Sequence, residues 1–206
     1  MPQRLCRPGA ARGGARRFAR QPTTAPVAVI ADIARLLIDM AAALFGAALL
    51  LRLYINWAGM PSRNPLAQFV IAVTDWLVRP VRRVLPAAGR FDSASLLAVL
   101  LLALLALVLS DLVSTGLVFW DRALIRTPFT VLRWALNLVF WLTIIYAVLS
   151  WVNPHAPIAP AVSMLLRPFL APFQRIIPLV GGFDLSPLAL IVVVNILLVI
   201  LNRTGV

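Results

Sequence analysis

The sequence contains no lysine and no glutamate. All nineteen basic residues are arginine and all seven acids are aspartate. Charged residues make up 13% of the chain, about half the share of a soluble domain, so no large water-exposed surface is expected. Cys6 is the single cysteine, which excludes an internal disulfide and a thiolate metal cluster. His155 is the single histidine and follows Asn153-Pro154, where it reads as an interfacial polar residue and not as a haem or metal ligand. With one histidine and no glutamate, an enzyme would need an unusual mechanism. No catalytic activity, cofactor or metal is therefore expected.

What the chain does have is apolar length. Of its 206 residues 62% are hydrophobic, and the mean hydropathy is +0.94. That composition reads as an integral membrane protein of the all-α class, with the lipid bilayer as its first partner. The net charge of +12 does not point to nucleic acid. Its arginines sit at the ends of apolar runs, where they meet headgroups and set topology.

The stretch around which the chain is organised occurs twice. Residues 80–92 read PVRRVLPAAGRFD and residues 172–184 read PFQRIIPLVGGFD. Aligned without gaps, they share Pro80/Pro172, Arg83/Arg175, Pro86/Pro178, Gly89/Gly181, Phe91/Phe183 and Asp92/Asp184. Such a recurrence marks a duplicated unit and fixes the architecture before anything else does. These twelve residues are the candidate partner- or lipid-contact positions.

Taken in order, residues 1–26 carry six arginines and no acid. The stretch has no apolar core, so a disordered basic tail is expected, with an over-extended start and a true beginning near Val27 as the alternative. The first repeat is placed at 27–120, a basic connector at 121–133 and the second repeat at 134–206. The first span is expected over Ile33–Trp57. Asp39 and Arg52 within it stand roughly 20 Å apart on a helix and cannot pair. Arg52 is expected to snorkel to the interface beside Trp57. Ala42/Gly46 and Ala43/Ala47 put small residues one turn apart, a helix-packing face.

Asn64-Pro65 supplies an N-cap and a first-turn proline. Leu66, Phe69, Val70, Val73 and Leu77 then form an apolar stripe, with Thr74, Asp75 and Arg79 mostly opposite. This segment is too short to span and reads as an interfacial amphipathic helix ending near Arg79. The second span opens at Asp92-Ser93, the third covers Trp134–Trp151, and the fourth runs from a cap at Ser186-Pro187 to Asn202. A second amphipathic segment holds Val162, Leu165, Leu166, Phe169 and Leu170 against Ser163 and Arg167. Trp57, Trp120, Trp134 and Trp151 are placed in an aromatic belt. The fold expected is four transmembrane helices as two parallel repeats of two spans, each with an amphipathic helix and a Pro-x2-Arg-x2-Pro loop. Both termini are placed in the cytoplasm, with eleven arginines on that side against seven opposite; without the six of the tail the count reverses to five against seven.

A span ending in Arg52-x4-Trp57, then Asn64-Pro65, an amphipathic stretch, Pro-x2-Arg-x2-Pro, and Gly-x-Phe-Asp-x-Ser-Pro before another span resembles the YggT (YlmG) family. Residues 167–187, RPFLAPFQRIIPLVGGFDLSP, are the closer of the two matches. The first copy has Ser95 where the family has proline, which implies a less sharply capped span. The resemblance implies a small multi-span protein of bacterial plasma membranes or plastids. It also implies links to osmotic-stress tolerance, to division or membrane organisation, and to plastid cytochrome assembly.

Two functions from different classes follow. As a membrane scaffold or assembly factor, the protein would use its stiff proline-rich loops and the planar donors of Arg83 and Arg175 to hold lipid phosphate, a membrane-protein partner or a second copy. As a transport component, it would enclose a solute or ion pathway between the repeats. Mid-span polarity amounts to little beyond Asn137, Thr143 and Asn195, which favours the scaffold. The loops also admit a purely structural reading, with Arg83 and Arg175 bonded to nearby carbonyls or to Asp92 and Asp184.

Overall fold

The computed structural model describes residues 25–61, 64–84, 92–153, 156–176 and 184–203. They form six helices: α1 Ala25–Trp57, α2 Pro65–Val84, α3 Ser93–Thr115, α4 Trp120–Val152, α5 Ala159–Ile176 and α6 Ser186–Arg203. Four of them, α1, α3, α4 and α6, are long and apolar enough to cross a membrane. The protein is a multi-pass membrane protein.

The two halves repeat one arrangement. In the first, α1 packs on α3 and α2 bridges them; in the second, α4 packs on α6 and α5 bridges them. Helices α1 and α3 run antiparallel. Asp39 meets Ser110 at one end, and Asn56 meets Asp92 at the other. The turn after α3 uses Gly116 at φ +70°, a conformation that glycine adopts without a Cβ penalty. It returns the chain as α4, parallel to α1. The Tyr54 hydroxyl at the end of α1 then donates to the Leu165 carbonyl of α5 at 2.6 Å. Ile55, Ala67, Val70, Ala161 and Leu165 share one core there. Both amphipathic helices thus lie at the same end of the bundle, as parallel repeats require.

Several boundaries differ from the sequence reading. The stretch 121–133 is the first part of α4, which continues through the exposed Pro128. Helices α2 and α5 continue through Pro80 and through Pro168 and Pro172. The motif therefore begins as helix and not as loop. All three prolines are exposed, so the hydrogen bonds they remove lie on the outer face of each helix, away from the core.

The α2 stripe is also rotated from expectation. Ala67, Val70, Thr74 and Val78 are buried, while Phe69 and Trp76 face outward. An interfacial helix can show apolar rings to lipid, and the polar Thr74 is drawn inward by a partner described below. Trp134 is likewise no belt residue. It is 8% exposed, and its ring fills the notch at Gly46, where any Cβ would overlap it. With α4 starting at Trp120, position 134 falls mid-helix, and the small-residue face of α1 is what receives it. Trp57, Trp120 and Trp151 are exposed, as a belt needs.

Candidate functional site

Arg52 does not snorkel. It is 3% exposed, and its guanidinium reaches across to α2. Nη1 donates to Thr74 Oγ1 at 2.9 Å and Nη2 to Asp75 Oδ1 at 3.2 Å, while Nε lies 3.8 Å from Asp92 Oδ2. The Thr74 hydroxyl in turn donates to the Val70 carbonyl at 2.7 Å, so a hydroxyl buried in α2 is satisfied on both sides. A cation in the apolar interior is tolerated only when so surrounded.

Asp92 gathers the other end of the network. It accepts from Arg82 Nη2 at 2.9 Å, from Asn56 Nδ2 at 3.0 Å and from Ser95 Oγ at 2.7 Å. Its second oxygen caps α3 through the Ser95 amide at 3.3 Å. Ser95, expected to weaken this cap, instead supplies two of its donors. Asp75 also holds Arg79 Nε at 2.6 Å, one turn on. Three arginines and two aspartates thus tie α1, α2 and the start of α3 into one joint.

Burial pushes the Asp92 carboxyl up, but the Ser95 and Arg82 hydrogen bonds and the Arg82 charge outweigh it and hold it below the usual carboxylate range. Burial acts the same way on Asp75, and Arg79 and Arg52 overcome it. Both folded values are lowered, so their stabilisation is complete above the unfolded pKa and is lost as pH falls through the folded ones. The thermal midpoint in detergent should be flat from neutrality to about pH 5 and fall below about pH 4. Asp92→Asn should start lower and change less over the same range. A wild-type midpoint that is insensitive to acid would overturn this assignment.

The second copy is built on the same frame but is left open. In the register of the repeat, Arg82 becomes Gln174 and Asp75 becomes Arg167. Arg52, five residues before Trp57, becomes Tyr146, five before Trp151. Gln174 Nε2 still donates to Asp184 Oδ2 at 2.9 Å, and Asp184 Oδ1 accepts from the Ser186 amide at 2.9 Å. The α6 cap is therefore Asp184 and not Ser186. Burial raises the Asp184 carboxyl, and its Ser186 and Gln174 donors bring it below the usual range. Tyr146, Arg167 and Gln174 border an open cleft of about 310 Å³, where the first copy is closed by arginine.

Of the twelve motif positions, Pro86, Gly89, Phe91, Pro178, Gly181 and Phe183 lie outside the described residues. Asp92 and Asp184 are helix caps. Pro80 and Pro172 are exposed within helices, and Arg83 and Arg175 are exposed in the last turns of α2 and α5. The residue that binds Asp92 is Arg82, not Arg83. Identity between the copies passed over Arg82, Asp75 and Arg52 because each is replaced in the second half. The spacing Asp75-x3-Arg79 and the cap spacing Asp92-x2-Ser95 were the signals available.

Comparison with known proteins matches this duplicated frame. The CCB3/YggT family profile covers residues 31–113 and again 125–204, one match per half. "Uncharacterized protein YggT" of Escherichia coli K12 is 36% identical over 156 residues, 75% of this chain and 81% of that protein. A Vibrio alginolyticus protein described as "uncharacterized protein in proC 3'region" is 36% identical over 146 residues, 69% and 79% of the two chains. No solved structure matches the chain significantly. Two profile matches, each falling on one of two halves built alike, and identity across most of the length show that the chain belongs to the CCB3/YggT family.

Proposed function

We propose that the protein is a non-catalytic scaffold or assembly factor of the bacterial plasma membrane, serving osmotic-stress tolerance or the organisation of membrane and division components. The observation that carries this reading is how its polar groups are disposed. The Arg52 joint pairs its charges internally at one end of the bundle. Asp39 and Ser110 lie at the other end. Between them the packing is apolar, through Ala42, Leu49, Val99, Ala103 and Trp134. The mid-span Thr143 and Asn195 each donate to the carbonyl one turn earlier in their own helix; Asn137 does likewise and is the one of the three that also borders a cleft between the halves. A solute pathway between the repeats would need such groups turned toward a shared cavity.

A rigid joint that holds two amphipathic helices at one end suits a docking platform, with Arg83 and Arg175 as its exposed donors. Arg83→Lys with Arg175→Lys keeps the charge at both helix C-termini but loses the two-pronged geometry of guanidinium. In a strain lacking the native protein, this double variant should reach normal membrane levels yet fail to restore growth after osmotic shock. Full rescue would remove the recognition role of the two arginines. Solute flux by the purified protein in liposomes, above that of empty vesicles, would overturn the scaffold reading in favour of transport.

A further inference from the structure

The end of the bundle opposite the motif holds a second polar feature, of which the scaffold reading uses only the Asp39–Ser110 contact. Helices α1, α3 and α4 meet there around a cleft of about 290 Å³, at the small end of ligand-sized cavities of about 300–1,000 Å³. It lies on the boundary between the two repeats, since α4 belongs to the second half. The α4 wall carries Arg126, Thr130, Arg133 and Asn137, spaced so that all four share one helical face. The facing walls bring Arg35 and Asp39 from α1 with Ser110 and Asp111 from α3.

Three guanidiniums against two carboxylates leave the cleft with one excess positive charge. Asp39 is already engaged, accepting from Ser110 Oγ at 2.8 Å and lying 3.8 Å from Arg35 Nε. Arg126 forms no ion pair among the described residues. Ser110 and Asp111 stand about a turn before the end of α3 at Thr115, which sets the mouth of the cleft at the headgroup level of that leaflet, with Trp134 and Asn137 at its inner end. Exposed Leu36 and Met40 on α1, and Leu109 and Leu112 on α3, lie beside the polar residues and offer surface to acyl chains.

We propose that this cleft binds a phosphate ester, presented as the headgroup of a phospholipid from the leaflet on that side. Guanidinium matches phosphate in a bidentate way that water-filled surface charges do not enforce. Thr130 adds a neutral donor along the same wall. Lipid bound there would seat between α3 and α4 and join the two repeats at that end.

The test uses the full chain in a mild nonionic detergent, with native mass spectrometry and thermal midpoints as readouts. Phosphatidylglycerol should remain bound and raise the midpoint, whereas diacylglycerol with the same chains should do neither. Arg126→Gln should weaken phosphatidylglycerol binding by about tenfold, the size of one lost charge-assisted hydrogen bond. Its midpoint without lipid should match wild type; if it does not, Arg126→Lys, which keeps the charge, should still bind more weakly than wild type. Arg122→Gln is the control, because Arg122 lies on the same helix outside the cleft and sits 5.1 Å from the Phe119 ring. Equal loss from Arg122→Gln, or equal stabilisation by diacylglycerol, would overturn the proposal. Stabilisation by soluble glycerol 3-phosphate to the same degree as by the lipid would overturn the assignment to a headgroup.

Discussion

Asp92→Ala is expected to destabilise the protein by about 3–5 kcal/mol, the cost of breaking a buried ion pair from one side. The substitution leaves Arg52, 3% exposed, with Asp75 as its remaining counter-charge, and it strands the donors of Asn56 and Ser95. It also uncaps α3. The matching change in the second copy, Asp184→Ala, is expected to cost only about 1 kcal/mol, the loss of a helix cap. Asp184 is partly exposed, and its recorded donors are Gln174 and the Ser186 amide. Unfolding midpoints followed by the fluorescence of the six tryptophans would measure both. Equal losses in the two variants would refute the inequality between the copies.

The second large effect is at the seam of the two halves. Gly46→Val places a branched side chain into the Trp134 ring, and overpacking of this kind costs about 1–3 kcal/mol. Trp134→Ala should cost about 3 kcal/mol, at the low end for a buried tryptophan because lipid, not water, is the alternative surroundings. The double variant should be more stable than the sum of the single losses, since the space vacated by the ring admits the valine. Additive losses would show that the two residues do not share one notch.

Much of the fold could be read along the chain because membrane spans announce themselves locally. Four apolar runs, the Asn64 cap and the repeat register are all short-range signals. Asn64 Oδ1 does accept from the Leu66 amide at 3.0 Å. Boundaries failed where a local rule was too strict. The Pro-x2-Arg-x2-Pro stretches read as loops from Pro80 and Pro172 onward, whereas an exposed proline late in an interfacial helix disturbs only its outer carbonyls. Residues 121–133 read as a basic connector between the repeats, whereas they form the first part of α4, which turns Arg126 and Arg133 to a cleft. The candidate site was legible only in its caps. The pairing of Arg52 with Thr74, Asp75 and Asp92 spans 22 to 40 residues, and nothing in the local pattern around Arg52 tells a buried guanidinium from a snorkelling one.

The position of that pairing along the chain bears on how the protein is made. Among the described residues, every hydrogen-bond and ion-pair partner recorded for the Arg52 and Asp92 side chains lies between residues 52 and 95, whereas α4 does not begin until Trp120. The joint can therefore close while the ribosome is still translating the second half. What emerges next meets a finished template, with the Gly46 notch waiting for Trp134 and the Tyr54 hydroxyl waiting for the Leu165 carbonyl. The half with the internal lock is the half made first, and the one without it is moulded onto a surface already set.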